Sequence, residues 1–462
     1  MDTLFKGGKV VTDSSTFRAD VAVSGGRITQ IAQSIKPDAA TSVVGCRGKL
    51  VLPGAIDAHT HLAMPFGGTI STDDYETGTR AAACGGTTTV FDFILQDFGE
   101  PFPDAIARRD AIAAPQACVD YSFHIGVKDV SGKLLHSMAD AVKAGVPSFK
   151  VFMVYDFGVS DGVFYEVLDH SKSIGALIGV HAENNDLVNY FTEKYVREKK
   201  LSAWYHYLSR PEAVEGEADV RAINLAKAAG APLYIVHLAN AQGMEAVTRA
   251  RAEGLPVFAE TCPQYLHFTS DVYKRPDGRN FVCSPPMKGK ASQRALWEGI
   301  ANGAVSTVAT DHCPFLKKEK DWGKADFRKI PNGCAGIENM YPYMLSEANK
   351  GRISYNKAVE VCATNVAKIF GLAHRKGAIE IGRDADIVVY DPKARVTIEN
   401  KNMHGATDHT IWEGVALKGY PEQTWSRGRL VYKDGKFLGE KGAGAFVACK
   451  PIHLSSPDLN NL

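Results

Sequence analysis

Two histidines one residue apart, His59-Thr60-His61, close a short apolar run, and on an extended backbone residues i and i+2 project to the same side, so both imidazoles can reach one cation. With 14 His in 462 positions, roughly 0.4 such pairs arise by chance, so the pair needs support from its surroundings. Three more ligand-type residues supply it: His181 follows Ile178-Gly179-Val180, His237 follows Tyr234-Ile235-Val236, and Asp311 follows Val308-Ala309-Thr310. Lys150 lies inside the apolar segment Ser148-Phe149-Lys150-Val151-Phe152-Met153, where an ordinary ammonium would lose its hydration. A desolvated lysine is more readily neutral, and a neutral amine can take up carbon dioxide to give a carbamate whose two oxygens can bridge two metals. Four His, one Asp and a carbamylated Lys suit two zinc-like ions about 3.5 to 4 Å apart sharing a hydroxide, which is equipment for metal-assisted hydrolysis. Asp311 is placed to take the attacking proton and pass it to a leaving nitrogen.

Residues this far apart meet only if something brings strand ends together. Between about residues 52 and 375 the chain alternates short apolar runs with helix-compatible stretches, the pattern of parallel βα units. Eight runs are visible: Leu52–Ile56, Thr87–Phe93, Val119–Val127, Phe149–Val154, Ala176–Val180, Leu233–Val236, Val257–Glu260 and Val305–Thr310. Eight closes a TIM-type barrel, whose C-terminal strand ends converge on one mouth. Helices are expected at Asp73–Cys84, Glu212–Ala229 and Gln293–Ala301. Residues 4 to 50 and the segments around Ala385–Tyr390 and Leu430–Leu438 instead read as short strands and turns, with Gly25-Gly26 suited to a hairpin, so the two chain ends are expected to form one β-domain.

Composition excludes other classes. Fifty-three Lys and Arg against 52 Asp and Glu, with no basic run, leave nothing to neutralise phosphates or anionic lipid, so neither nucleic acid nor membrane is an expected partner. Nine cysteines, odd in number and without a C-x-x-C pair, argue against a disulfide framework, and no export signal is visible; the expected location is the cytoplasm.

The sequence resembles cyclic amidohydrolases of the hydantoinase and dihydropyrimidinase group. The residues that carry this are Pro53-Gly54-Ala55-Ile56-Asp57-Ala58-His59-Thr60-His61, Gly85-Gly86-Thr87-Thr88-Thr89, the Lys150 segment, Val180-His181-Ala182-Glu183-Asn184, Glu260-Thr261-Cys262-Pro263-Gln264-Tyr265-Leu266, Ser284-Pro285-Pro286, Thr310-Asp311-His312-Cys313 and Ile330-Pro331-Asn332-Gly333. The resemblance implies an α/β fold: a (β/α)8 barrel over 52–375, a discontinuous β-sandwich from 1–51 and 376–440, and a tail at 441–462. It implies that His59, His61 and Asp311 hold one divalent metal, probed first as zinc with manganese and cobalt as alternatives, that His181 and His237 hold the other, and that Lys150 bridges them as N6-carboxylysine. It further implies that the Tyr155 hydroxyl stabilises the oxyanion, that main-chain groups at Ser284 and Asn332 hold the amide edges of the ring, and that Met64, Phe66, Phe152 and Phe157 line the place of the side group.

The implied substrates are 5-substituted hydantoins, opened to N-carbamoyl amino acids and commonly of the D-configuration, or dihydropyrimidines. Allantoin is a further alternative, and a scaffold protein that has lost its metals is the non-enzymatic one. Related dihydroorotases place an arginine after the paired histidines; here stands Leu62-Ala63-Met64-Pro65-Phe66, which disfavours a charged ring. The segment Phe152–Asp161 looks shorter than in the hydantoinases, and the tail lacks the basic stretch that often contacts a neighbouring subunit, although a dimer or tetramer is still expected. Within the sequence, Cys313 beside Asp311 reads as a small buried hydrophobe rather than a nucleophile, and His124 in the third run reads as a packing residue more readily than as support for the centre.

Overall fold

The computed structural model describes residues 1–452 of the chain. Eight parallel strands form the barrel sheet: β1 (Ala55–Thr60), β2 (Thr87–Leu95), β3 (Asp120–Gly126), β4 (Ser148–Phe152), β5 (Leu177–His181), β6 (Leu233–Ile235), β7 (Val257–Thr261) and β8 (Thr307–Val308). A parallel bridge from Thr60 to His312, with the His61 N–H donating to the His312 carbonyl at 2.8 Å, closes β1 onto the chain beyond β8. Each strand is buried along almost its whole length, as a parallel sheet covered by helices requires.

Two expected runs differ in extent, each for a local reason. Leu52–Ile56 is two strands: Leu50–Pro53 pairs antiparallel with Ile387–Tyr390 outside the barrel, and Ala55 begins β1. Gly54 is the joint, because a Cβ there would lie 2.2 Å from Thr88 Oγ1. β8 is only two residues long, because the Thr310 N–H leaves the ladder for the Asp57 carboxylate at 3.0 Å. The helix expected from Asp73 begins at Tyr75: Asp74 accepts from the Thr77 N–H, the Thr77 hydroxyl returns to the Asp74 N–H, and Asp73 is diverted to His312. Glu212–Ala229 is helical as expected, stopped by Gly230 in the left-handed region, and Gln293–Ala301 lies within a helix over Lys290–Asn302.

Nine strands from both chain ends form the second sheet, four before Leu50–Pro53 and four after it. Gly25 (φ 58°) and Gly26 (φ 75°) make the expected hairpin turn. The sheet wraps over a core of Phe5, Val21, Val23, Ile387, Val389 and Trp425, giving the sandwich. Lys376, wholly buried, locks this layer to the barrel, its ammonium 2.6 Å from Asp120 at the start of β3 and 2.7 Å from Asp386. The tail runs beside β3, with Val447 N–H on the Tyr121 carbonyl at 2.8 Å, as far as Ile452; the rest of the expected tail, 453–462, lies outside the described residues. Among the described residues no helix is long and apolar enough to cross a membrane.

Candidate metal centre and its cavity

All six ligand-type residues meet at the C-terminal mouth of the barrel. His59 and His61 end β1, Lys150 sits within β4, His181 ends β5, and His237 and Asp311 lie just beyond β6 and β8. The Asp311 Oδ1 is 3.1 Å from both His59 Nε2 and His61 Nε2. Lys150 Nζ is 3.0 Å from His59 Nε2, and His181 Nδ1 is 3.0 Å from His237 Nε2. His237 (φ 41°), Asp311 (φ 50°) and Tyr155 (φ 77°) all adopt the left-handed backbone that non-glycine residues avoid. Strain gathered at three neighbouring residues marks a place where the surroundings dictate side-chain direction.

Ring orientation is fixed from behind. The His59 Nδ1–H donates to Glu260 at 2.6 Å, so its Nε2 presents a lone pair to the mouth; His181 Nε2–H donates to Glu183 at 2.8 Å, which turns its Nδ1 inward. Burial, reinforced by the charge of Lys150 on His59 and by His181 on His237, pushes the basicity of both imidazoles well below the ordinary range, so they are neutral lone-pair donors. Burial brings Lys150 down to about 8. For Asp311 burial acts upward, but the His59 and His61 imidazoles outweigh it and hold the carboxyl well below the usual range. Neutral imidazoles, an ionised carboxylate and an amine that is readily deprotonated form a donor set that fits divalent cations.

Above these donors lies a cavity of about 60 Å³, polar at its floor and apolar on one wall. Met64, Phe66, Phe152 and Phe157 line that wall together with Phe93 and Tyr155, the rings of Phe152 and Phe157 meeting edge-on at 5.1 Å. Ser284 and Asn332 also line it; Asn332 Oδ1 is buried without a protein partner, and the Ser284 hydroxyl lies within hydrogen-bond reach of the Tyr155 hydroxyl. Tyr155 reaches the same cavity, with its ring 5.3 Å from that of His181. Cys313 packs against Met64 and Phe315, and burial pushes its thiol up, away from thiolate chemistry. His124 bonds Ser148 and the Ala58 carbonyl and stacks on Phe91 at 4.6 Å, so it packs beneath the mouth. Two other groups of ligand-type side chains are satisfied internally: both His404 nitrogens have partners beside Cys84 and Glu338, and Lys376 fills the Asp120, Asp384 and Asp386 cluster.

The amidohydrolase family pattern matches residues 50–431. The chain belongs to the amidohydrolase family. It is 41% identical over 454 residues to the D-hydantoinase of Geobacillus stearothermophilus, covering 97% of this chain and 96% of that one. It is 37% identical over 461 residues to the D-phenylhydantoinase of Escherichia coli O81 (strain ED1a), covering 98% and 99%. The crystal structure of dihydropyrimidinase from Brevibacillus agri NCHU1002 superposes with a TM-score of 0.96 at 40% identity, over 98% of this chain and 100% of that one.

Sequence reasoning assigned no role to several residues that shape this amidohydrolase site. Glu260 is wholly buried and accepts from His59, from the His237 N–H at 3.0 Å and from the Tyr234 hydroxyl at 2.8 Å. Glu183 is held by Arg210 at 2.5 Å, and that guanidinium with His181 overcomes burial to keep the carboxyl well below its ordinary value. Asp92 takes the Leu62 N–H at 2.7 Å and pairs with Arg109, which also donates to the Leu62 carbonyl and so pins the turn after His61. The available signal was the one used for Lys150: a charged residue in or just after an apolar strand, as in Phe258-Ala259-Glu260 and Phe91-Asp92-Phe93.

Proposed function

We propose that this amidohydrolase opens cyclic amides by hydrolysis, acting on 5-substituted hydantoins with an apolar or aromatic side group and giving N-carbamoyl amino acids, with the D-configuration preferred. The observation that carries this reading is the convergence of His61, Lys150, His181, His237 and Asp311 on a cavity with an aromatic wall, with His59 buried directly beside Lys150 and Asp311. The D-hydantoinase and D-phenylhydantoinase relatives support the substrate class. His59, His61 and Asp311 would hold one divalent cation and His181 and His237 a second, zinc suiting their nitrogen and oxygen donors, with manganese or cobalt acceptable. Such cations supply Lewis acidity toward a carbonyl and acidify water at neutral pH.

The chain's own groups then have distinct tasks. Neutral Lys150 Nζ would attack the carbon of CO2, losing one N–H proton to solvent, and the resulting carbamate would supply two anionic oxygen donors beside His59. Asp311 accepts the proton of the attacking water and returns it to the leaving ring nitrogen. The Tyr155 hydroxyl donates to the oxygen that becomes negative as the carbonyl turns tetrahedral. Ser284 and Asn332 hold the two amide edges of the ring, and Met64, Phe66, Phe152 and Phe157 enclose the side group while excluding water. The nine cysteines, all free and buried, support a reducing cytoplasmic setting.

Two measurements test this reading. A panel of 5-substituted hydantoins, dihydrouracil and allantoin should show fastest ring opening for the aryl-substituted hydantoins; preference for allantoin would overturn the substrate class. Lys150→Ala should lose activity and retained metal together, and a short carboxylic acid with added zinc should restore part of the activity. Full activity in that variant would remove the carbamate from the mechanism.

A further inference from the structure

Lys320 ends a short helix over Lys317–Lys320, and its side chain is 1% exposed. Among the described residues no carboxylate pairs with its ammonium. Its three N–H donors go instead to three main-chain carbonyls, Val282 at 3.0 Å, Pro331 at 2.7 Å and Gly333 at 2.6 Å. A buried cation without a counter-charge is costly, and this one is kept where carbonyl dipoles from two separate loops replace its water.

The position of those carbonyls gives the arrangement its meaning. Pro331 and Gly333 flank Asn332, and Val282 lies two residues before Ser284, so the clamp grips the chain beside two polar residues that line the cavity. The Gly333 N–H also donates to the Val282 carbonyl at 2.9 Å, tying the two loops together at the same point. Gly333 (φ 141°) is pressed against the segment following Asp311, where a Cβ would lie 2.2 Å from the Cys313 carbonyl oxygen. The loops that carry Ser284 and Asn332 are therefore gathered around one ammonium.

We propose that Lys320 is a positioning residue for ring recognition: by drawing the Val282, Pro331 and Gly333 carbonyls onto one point, it fixes the spacing at which Ser284 and Asn332 meet the two edges of a planar cyclic amide, and thereby selects ring size. The inference rests on the ring-opening activity proposed above. It assigns Lys320 no contact with substrate and no part in bond making.

The test compares wild type, Lys320→Met, Lys320→Gln and Lys320→Arg in the metal-loaded protein, using hydantoin and dihydrouracil as five- and six-membered rings. Lys320→Met should raise KM for the preferred ring at least tenfold, about 1.4 kcal/mol of binding at 25 °C, with kcat within threefold and metal content unchanged. The ratio of kcat/KM between the two rings should narrow at least threefold, which a general loss of stability would not produce. Lys320→Arg, which keeps charge and donors, should recover part of the KM and of the ratio. If Lys320→Met does not fold, Lys320→Gln, which keeps two donors, carries the comparison. An unchanged KM and ring-size ratio would overturn the assignment, as would equal losses on both rings in step with lost metal. A wild-type protein that opens neither ring would overturn the activity itself and this inference with it, a result distinguishable from a variant that behaves like an active wild type.

Discussion

Glu260 offers the sharpest check on how this centre is built, because one buried carboxylate serves both halves of it. One oxygen receives the His59 Nδ1–H at 2.6 Å and the His237 N–H at 3.0 Å, and the other receives the Tyr234 hydroxyl at 2.8 Å. Glu260→Ala strands two buried donors, the His59 Nδ1–H and the His237 N–H, while the Tyr234 hydroxyl keeps Thr307. At about 1 to 3 kcal/mol for each the upper bound is about 6 kcal/mol, and relaxation around the vacated space brings the expected loss of stability to about 3 to 5 kcal/mol, the usual result of removing one member of a buried pair. Freed from its acceptor, His59 no longer holds one tautomer, and metal affinity should fall about 10- to 100-fold. Glu260→Gln separates the two effects. Its amide oxygen can still accept from His59 and His237, and the Tyr234 hydroxyl, already 2.6 Å from Thr307 Oγ1, can turn to accept from the amide NH2. That variant should stay within about 2 kcal/mol of wild type yet release metal faster, because a neutral amide makes the imidazole a poorer donor. Urea unfolding with metal in excess reads the first quantity, and metal retained against a chelator reads the second. Wild-type metal retention in Glu260→Ala would show that ring orientation comes from elsewhere, and the reasoning about ligand support would fail.

Tyr155→Phe should lower kcat about 10²- to 10³-fold, the usual cost of losing one oxyanion donor, with KM and melting temperature nearly unchanged; unaltered kcat would leave Tyr155 as packing only. Burial raises the Tyr155 phenol, so the loss should be the same across neutral pH. Away from the site, His404 is lifted above its ordinary 6.5 by its hydrogen bond to Glu338, against the opposing effect of burial. A raised folded value means that the stabilisation is complete below pH 6.5 and is lost as pH rises through the folded value, so the melting temperature should fall on that side. His404→Gln should flatten the slope, and an unchanged slope would exclude His404 as its source.

Much of this arrangement was legible in the sequence, because the residues that converge at the mouth combine two readable signals, a rare residue type and a position at the end of an apolar run. His181, His237 and Asp311 are placed in this way, and Lys150 stands out as a charge within an apolar strand. The break at Gly54 was not legible, since Leu52 to Ile56 is one apolar run by composition and only the closeness of Thr88 divides it. Nor was the shortness of β8, which depends on Asp57 reaching 253 residues along the chain to the Thr310 N–H. Lys320 left no trace at all: in Lys317-Lys318-Glu319-Lys320 the first two lysines are exposed and the last is buried, a difference that tertiary packing alone imposes.

Charge decides how Lys150 can take part. A unit cation about 4 Å from a dication at an effective dielectric near 20 is repelled by about 8 kcal/mol, and two dications double that. Removing the proton from even an ordinary lysine at pH 7 costs only about 5 kcal/mol, and burial at the barrel mouth lowers that cost further. An ammonium at position 150 and a doubly occupied centre are therefore mutually exclusive by a wide margin. A neutral amine would avoid the repulsion, yet it offers one lone pair to two sites and brings no negative charge to a cavity lining whose one carboxylate is Asp311. In the proposed two-cation centre, carbamate formation would meet both requirements at once, and loss of the Lys150 side chain should then cost the metals as well as the rate.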